Sequence, residues 1–242
     1  MNTTRTHDDV SPTAPTAPTG PAASTGRAAR STAVRPTTMP AQRPAGDGEH
    51  AADRPRGSAR DRLVAAATRL FYAEGIHAVG VDRVIEEAGV TRATMYKQFA
   101  GKEGLVLTYL EAQDAAIRAI FDGAAGSSHG DELLDAVLAG IAEDVREHHT
   151  RGCPFINAAA EYPDATGPVR LLIAQHRDWF RATLAEVAGQ AGLEHPDRVA
   201  ASLVLLRDAA LVGGYLDGDE LVEPAFLRTA RSVLAAHRPA QG

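Results

Sequence analysis

A chain of 242 residues, with 44% apolar but only 5% aromatic side chains, can bury a sizeable core built mainly from Leu, Val, Ile and Ala. We find no uninterrupted apolar run of about 18 residues, the length that crosses a bilayer, and no apolar N-terminal segment typical of a secretory signal. A single cysteine excludes an internal disulfide, so we expect a cytoplasmic protein without a membrane partner.

The net charge of −6 is distributed unevenly along the chain. Residues 1–57 carry seven Arg and five acidic side chains, and residues 58–104 carry seven basic and six acidic side chains. Residues 105–242 carry 11 basic and 20 acidic side chains, so the acidic excess lies in this last segment. The overall charge therefore does not exclude a polyanionic partner for the earlier residues.

Residues 1–57 are predicted to form a disordered tail. They hold eight of the 14 prolines and too few large apolar side chains to offset the entropy of ordering. One interpretation is an inert extension, or a start codon placed too early, with Met39 as the alternative start. The other is a basic arm that touches DNA through Arg43, Arg54 and Arg56.

The first helix is predicted to begin after Ser58. The Ser58 hydroxyl can cap the free N–H groups of the first turn, and Asp61, three residues later, completes a capping box. Gly75 is suited to end the helix as a C-cap glycine. The apolar residues of this segment repeat at helical spacing and are expected to face the core: Leu63, Ala66, Ala67, Leu70 and Phe71.

The segment VDRVIEEAGVTRATMYKQFAGKE, residues 81–103, predicts two short helices joined by a tight turn. Gly89 supplies the positive φ that the turn needs, and Thr91 is placed to cap the second helix. Met95 and Phe99, four residues apart, would face inward and leave cationic and hydroxyl groups on the outer face. A short helix with that outer face suits a DNA major groove, so we interpret the segment as a helix-turn-helix.

The rest of the chain shows no strand-like alternation of useful length, and the predicted fold class is all-α. The stretch GAAGSSHG, residues 123–130, is predicted to be a loop. The predicted helices run from Lys102 to about Phe121, from Asp131 to a turn at His148–Gly152, over Cys153–Tyr162, from Pro168 to about Gly189, over Pro196–Val212, and from Glu223 or Pro224 to about His237.

The last two predicted helices have more apolar surface than one exterior face usually shows. They either belong to the internal core or form a homodimer interface. A helix-turn-helix that reads symmetric DNA needs two copies about 34 Å apart, or a multiple of that distance, so we expect a homodimer. The residues concerned are Val199, Leu203, Val204, Leu206, Ala210, Leu211, Phe226, Leu227, Val233 and Leu234.

Residues 65–107 resemble the DNA-binding domain of the TetR family of bacterial transcriptional regulators. The match comprises the FxxxG element from Phe71 to Gly75, the VxxVxxxAGV helix and turn, the TMYKQF recognition helix, and the KE step into the next helix. The resemblance implies a homodimeric all-helical protein. Its helix-turn-helix DNA-binding domain would span residues 58–104, and a larger helical ligand-binding and dimerisation domain would span residues 105–242.

The resemblance also places the DNA-facing positions of the family on this chain. Lys102 falls on a phosphate-contacting position, and Arg92 is able to reach the O6 and N7 atoms of guanine. One departure is Gly80, where the family usually carries a Ser or Thr cap. The other positions expected to face an operator are Thr91, Ala93, Thr94, Tyr96 and Lys97.

A ligand pocket for a small-molecule effector is expected between the helices of the larger domain. The polar and aromatic side chains best suited to line it are Phe155, Asn157, His176, Trp179, Phe180, Arg207 and Tyr215, and plain core is the alternative for each. Cys153 is either a redox sensor, with a thiolate favoured by nearby His or Arg, or a buried thiol. His148 and His149, with His176, suggest a metal site, but adjacent histidines point to different sides of a helix, so we expect no metal.

The sequence carries no GxSxG, HExxH, P-loop or Rossmann motif, so we expect neither enzymatic activity nor a cofactor. The leading hypothesis is a repressor that a small-molecule ligand releases from its operator, with activation left open. The alternative is a helical ligand-binding or interaction protein without operator binding.

Overall fold

The computed structural model describes residues 57–148 and 151–240, and all regular secondary structure within these residues is helical, which confirms the all-α fold class. The tail, with Met39, Arg43, Arg54 and Arg56, lies outside the described residues. The helices are α1 (Ala59–Glu74), α2 (Val81–Ala88), α3 (Arg92–Gln98), α4 (Gly101–Ala125), α5 (Gly130–Glu143, continued by a π-helical turn, Asp144–His148), α6 (Pro154–Glu161), α7 (Pro168–Gln190), α8 (Pro196–Asp217) and α9 (Asp219–Ala236).

Helix α1 begins and ends at the predicted caps. The Ser58 hydroxyl accepts from the backbone N–H of Asp61 at 3.1 Å, and the Asp61 carboxylate accepts from the N–H of Ser58 at 3.0 Å. The C-cap is Gly75, whose φ of 96° few side chains would tolerate. The predicted stripe of Leu63, Ala66, Ala67, Leu70 and Phe71 is buried.

The turn between α2 and α3 is also as predicted. Gly89 lies in the left-handed region (φ 60°, ψ 44°), and Thr91 caps α3. Met95 and Phe99 are buried beneath α3. The turn, the cap and the two buried side chains together fix the orientation of α3 over the core that α1, α2 and α3 share.

Helix α4 is longer than predicted and connects the helix-turn-helix to the larger domain. It packs against α1 near its start and against α7 further along, and the predicted boundary between residues 104 and 105 lies inside it. The loop predicted over residues 123–130 is confirmed only for residues 126–129. Helix α4 continues to Ala125, because Phe121 packs edge-on against Trp179 and Phe180 and holds the end of the helix on the core. Ile120, an apolar residue in this part of α4, is 63% exposed.

Helices α8 and α9 also extend beyond their predicted bounds. Helix α8 passes through Gly213 and Gly214, and α9 begins before Pro224, which lies inside it. A Cβ at Gly214 would lie 2.8 Å from a methyl of Val145, and one at Gly213 would lie 3.3 Å from a methyl of Val222. These glycines therefore allow close packing of neighbouring segments rather than ending α8.

Helix α8 is long and apolar enough, by length and composition alone, to cross a bilayer, although Arg207 and Asp208 interrupt it and it contains no uninterrupted apolar run of about 18 residues. The helix packs against both α7 and α9. Its buried residues are Val199, Ala200, Leu203, Val204, Arg207, Ala210 and Leu211. Core helices of globular proteins pass the same test, so the composition of α8 is weak evidence for a membrane.

Candidate nucleic-acid interface

The outer face of α3 carries most of the side chains predicted to face DNA. Arg92, Ala93, Tyr96 and Lys97 are exposed, and Tyr96 retains 52% of its accessible surface. Met95, on the opposite face, is completely buried. The structure thus brings the predicted residues together on one solvent-facing surface of a helix that is anchored from below.

Two threonine hydroxyls of this surface engage each other. Thr91 Oγ1 accepts from the backbone N–H of Thr94 at 3.1 Å, and the two hydroxyl oxygens are 2.8 Å apart. One of the two hydroxyl protons is therefore used within α3, while the other can be donated to an external acceptor.

The cations of this region have different environments. Arg92 Nη2 forms an ion pair with Asp82 Oδ1, which belongs to the first turn of α2. Lys97 has no ion-pair partner among the described residues, and it remains exposed. Lys102 is half-buried at the start of α4, and burial lowers its pKa while the charge of Glu161 opposes that shift.

Tyr72 of α1 holds the segment that precedes α6. Its hydroxyl donates to the carbonyl oxygen of Gly152 at 2.9 Å and accepts from the backbone N–H of Arg151 at 2.8 Å. The guanidinium of Arg151 in turn donates to the carbonyl oxygen of Tyr72 at 2.6 Å. These reciprocal bonds join the helix-turn-helix to the larger domain.

Glu161, at the end of α6, forms a second junction between the same two regions. Its carboxylate accepts from the backbone N–H groups of Ile76 at 2.8 Å and His77 at 2.5 Å. The His77 ring also stacks on Tyr162, with ring centroids 5.0 Å apart. Both ends of the segment from residue 151 to residue 161 therefore contact the α1–α2 region.

A cavity of about 100 Å³ lies between α4, α5, α7 and α8. Its wall is largely apolar, with the side chains of Glu143, Asp144 and Arg207 as the charged groups. Among the predicted pocket residues, Phe180 and Arg207 line it. The prediction missed the α4 and α5 residues of the wall, whose only signal was helical apolar spacing: Ile117, Ile120, Phe121, Ala124, Val137 and Ile141.

Two other predicted pocket residues line a different cavity. Asn157 and Tyr215 border a space of about 220 Å³ at the junction between the helix-turn-helix and α6. Phe155, His176 and Trp179 line neither of these two cavities. The predicted set is therefore divided between two cavities and an intervening aromatic cluster.

His176 is the centre of that aromatic cluster. Its ring stacks on Phe155 with centroids 3.8 Å apart, and its Nδ1 lies 2.7 Å from Asp114 Oδ1. Burial lowers the pKa of His176 even though the Asp114 contact opposes that shift. The neutral imidazole therefore donates from Nδ1 to Asp114. Burial alone would raise the pKa of Asp114, but hydrogen bonds from Arg118 and His176 together lower it.

Cys153 lies beside a buried guanidinium. The thiol is 1% exposed, and Arg207, 4% exposed, donates from Nη1 to its Sγ at 3.4 Å. This placement favours the interpretation of a buried thiol. Among the described residues, no group of three His, Cys, Asp or Glu side chains is placed to hold a metal ion; His149 and the side chain of His148 lie outside them.

An exposed helix with cationic and hydroxyl groups, supported by two others and joined to a larger helical domain, defines a helix-turn-helix DNA-binding transcriptional regulator. A family model for bacterial regulatory proteins of the tetR family matches residues 63–109. A second, for a tetracyclin repressor-like C-terminal domain, matches residues 131–219. The chain belongs to the TetR family, and it is a regulator rather than an enzyme.

Known relatives and solved structures agree with this assignment. A TetR-family transcriptional regulator from Streptomyces coelicolor shares 45% identity and a TM-score of 0.72, over 75% of this chain and 96% of that one. The HTH-type transcriptional regulator LmrA of Bacillus subtilis is 27% identical over 66% of this chain and 86% of its own length. The HTH-type transcriptional activator FasR of Mycolicibacterium smegmatis is 28% identical over 48% of this chain, and the match spans about half (52%) of the length of FasR.

Proposed function

We propose that the chain is a cytoplasmic homodimeric repressor that binds operator DNA through α3 and is released by a small apolar ligand. The observation that carries this proposal is the outer face of α3, where Arg92, Tyr96 and Lys97 are exposed above a buried anchor. Cationic, aromatic and hydroxyl groups on one short helix match what a major groove and its flanking phosphates present.

The proposed DNA contacts of α3 and α4 are of two kinds, with phosphates and with base edges. Lys97 and Lys102 neutralise phosphates, and the hydroxyl of Tyr96 donates to a phosphate oxygen. Arg92, Ala93 and Thr94 face base edges, where a guanidinium suits guanine and small apolar groups suit the thymine methyl. Residues 58–104 act as the DNA-binding unit, and residues 105–242 position it and bind the ligand.

An exposed apolar strip on α8 and α9 supports the homodimer. Of the two alternatives for the apolar residues of α8 and α9, internal core holds for most of them, such as Val199, Leu203 and Leu211. A different set is exposed: Leu205 and Leu216, at 69% and 70%, with Val212, Tyr215 and Leu221. Leu205, Val212 and Leu216 are seven and four residues apart, so they share one face of the helix.

Light scattering tests the dimer. We expect twice the 25.5 kDa mass of one chain. The substitution Leu216→Glu should give a monomer with weakened operator binding, because a charge on the apolar strip would lose its hydration when the dimer forms. Leu171→Glu, at an exposed leucine of α7, is the matched control and should remain dimeric. A monomeric wild type at micromolar concentration contradicts the dimer.

The cavity between α4, α5, α7 and α8 is the proposed effector site. Its apolar wall suits a small apolar or amphipathic molecule whose polar group reaches Asp144 or Arg207. Arg207 also contacts Cys153, which directly precedes α6, and Glu161 at the far end of α6 holds Ile76 and His77. A ligand that displaces Arg207 therefore has a contiguous route to the helix-turn-helix. By linkage, DNA must weaken ligand binding by the same factor.

A mobility-shift assay with the DNA upstream of the chain's own gene tests operator binding. We expect a shifted band at moderate salt that an excess of unrelated DNA does not remove. The absence of any shift overturns operator binding and favours a ligand-binding or interaction protein. Because FasR is named as an activator, in vitro transcription from the shifted fragment is used to distinguish repression from activation. We expect repression.

A further inference from the structure

An ion pair on the exposed surface joins the two helices of the helix-turn-helix. Arg92 Nη2 contacts Asp82 Oδ1, and the side chains are 63% and 72% exposed. We propose that Asp82 is a positioning residue for sequence discrimination, which holds the Arg92 guanidinium for contact with a base edge and opposes its contact with phosphate. This inference rests on the proposed operator binding and adds the residue that governs selectivity.

The backbone between the two residues gives the ion pair a defined geometry. Asp82 lies in the first turn of α2, and Arg92 is the first residue of α3. The intervening turn is held by Gly89 in the left-handed region and by the Thr91 cap. In addition, Arg62 Nε donates to the carbonyl oxygen of Ala88 at 3.1 Å, which ties the end of α2 to α1. The carboxylate therefore meets the guanidinium across a supported turn.

The contact with Asp82 uses only part of the donor capacity of Arg92. A guanidinium carries five N–H groups in a planar fork, and the ion pair with Asp82 involves only the Nη2 atom of Arg92. The remaining N–H groups can still donate to the O6 and N7 atoms of guanine, the geometry that arginine prefers in a major groove. Asp82 thus restricts the orientation of Arg92 without removing its ability to read a base.

The Asp82 carboxylate also changes the electrostatics of nonspecific binding. Nonspecific affinity comes from cations that neutralise phosphates. Lys97 has no carboxylate partner among the described residues and contributes to binding any sequence, whereas the charge of Arg92 is already compensated. A bare carboxylate near the DNA repels phosphates, so moving Arg92 from Asp82 to a phosphate is unfavourable, whereas a base contact made by the remaining N–H groups leaves the ion pair in place. The arrangement weakens binding to wrong sequences more than binding to the right one.

The central experiment compares wild type with Asp82→Asn on two DNA duplexes over a range of salt concentrations. One duplex is a sequence selected by the wild-type protein, and the other is a scrambled control. For the variant we expect about tenfold tighter binding to the scrambled duplex, since Arg92 is then free to reach phosphate. The salt slope should steepen by about one, and the ratio of the two affinities should fall about tenfold.

Three further variants separate positioning from a simple change in charge. Glu87→Gln removes the same charge from α2, where Glu87 pairs with Arg69 at 2.6 Å, and should leave the affinity ratio within about twofold. Asp82→Glu keeps the charge and should restore most of the discrimination. In an Arg92→Gln background, Asp82→Asn should no longer change the ratio, because the residue through which Asp82 acts is absent.

Each outcome decides one hypothesis. If wild type discriminates between the duplexes and Asp82→Asn discriminates equally well, the role of Asp82 is overturned while operator binding stands. An equal effect of Glu87→Gln, or an unchanged effect in the Arg92→Gln background, also overturns it, since net charge then explains the result. A wild type that binds no DNA overturns the proposed function itself.

Discussion

Charged groups have opposite placements in the two regions of this molecule. In the helix-turn-helix, Lys97 is exposed without an ion-pair partner among the described residues, and the exposed Arg92 pairs with Asp82 through only part of its donor capacity. In the larger domain, Arg207 is 4% exposed and contacts Cys153 and Asp208 of the same chain. Charged groups are therefore available to an external partner in the first region and join helices to one another in the second.

The largest difference is expected from removing one cationic side chain from each region and comparing the loss of stability. Arg207→Ala should destabilise the protein by about 2–5 kcal/mol, because it leaves a void among buried side chains and removes the hydrogen bond to Cys153 Sγ. Lys97→Ala should change stability by less than about 0.5 kcal/mol. Urea unfolding measures both. Similar effects of the two substitutions would break the contrast between the regions.

Lys102 tests whether the cations near the helix-turn-helix act on DNA. Lys102→Ala should weaken binding to every sequence by about tenfold at low salt and reduce the salt slope by about one, because one phosphate contact is lost. Fluorescence anisotropy over a salt series measures both quantities. Arg231→Ala, which removes an exposed cation of α9, is the control and should leave them unchanged. An unaltered salt slope for Lys102→Ala would remove this residue from the interface.

Glu161 tests the junction where the two regions meet. Glu161→Gln keeps one acceptor oxygen but turns an NH₂ group toward one of the two backbone N–H donors, so it should cost about 1 kcal/mol of stability. It should also reduce the effect of a bound ligand on DNA affinity. Glu186→Gln, on the exposed face of α7, should do neither. Full ligand response in the Glu161→Gln protein would show that coupling runs elsewhere.

The smallest effect is a dependence of stability on pH that comes from His176. Burial lowers its pKa in the folded protein, so protons bind the unfolded chain more readily. Its stabilising contribution is therefore complete above the unfolded pKa of about 6.5 and decreases as the pH falls below that value. His176→Asn, which retains a donor for Asp114, should be less stable at neutral pH but should flatten the stability curve below about pH 6.5. An equally steep curve would assign the pH dependence to other groups.

The sequence was most informative where structure is determined by neighbouring residues. The capping box of Ser58 and Asp61, the left-handed Gly89 and the Thr91 cap each depend on residues within a few positions, and all were predicted. The errors arose where distant segments meet. Gly213 and Gly214 resembled a helix end, yet they permit close packing of Val222 and Val145 against α8.

The candidate ligand pocket shows the same limit. Sequence patterns identified Phe180 and Arg207 as candidate pocket residues, but they also included Asn157 and Tyr215, which line another cavity. A cavity is defined by which helices face each other, and periodicity within one helix does not contain that information. For the same reason, the wall supplied by α4 and α5 was not predicted.

By itself, the sequence determined the all-helical class, the helix-turn-helix with its outward cations, and the resemblance to TetR regulators, because caps, turns and helical periodicity are local properties. Tertiary structure alone decided that Asp82 meets Arg92, that Glu161 holds the α1–α2 turn, and that Arg207 lies between a cavity and Cys153. Each of these contacts joins residues from different helices, and only the packing of those helices brings the side chains within bonding distance.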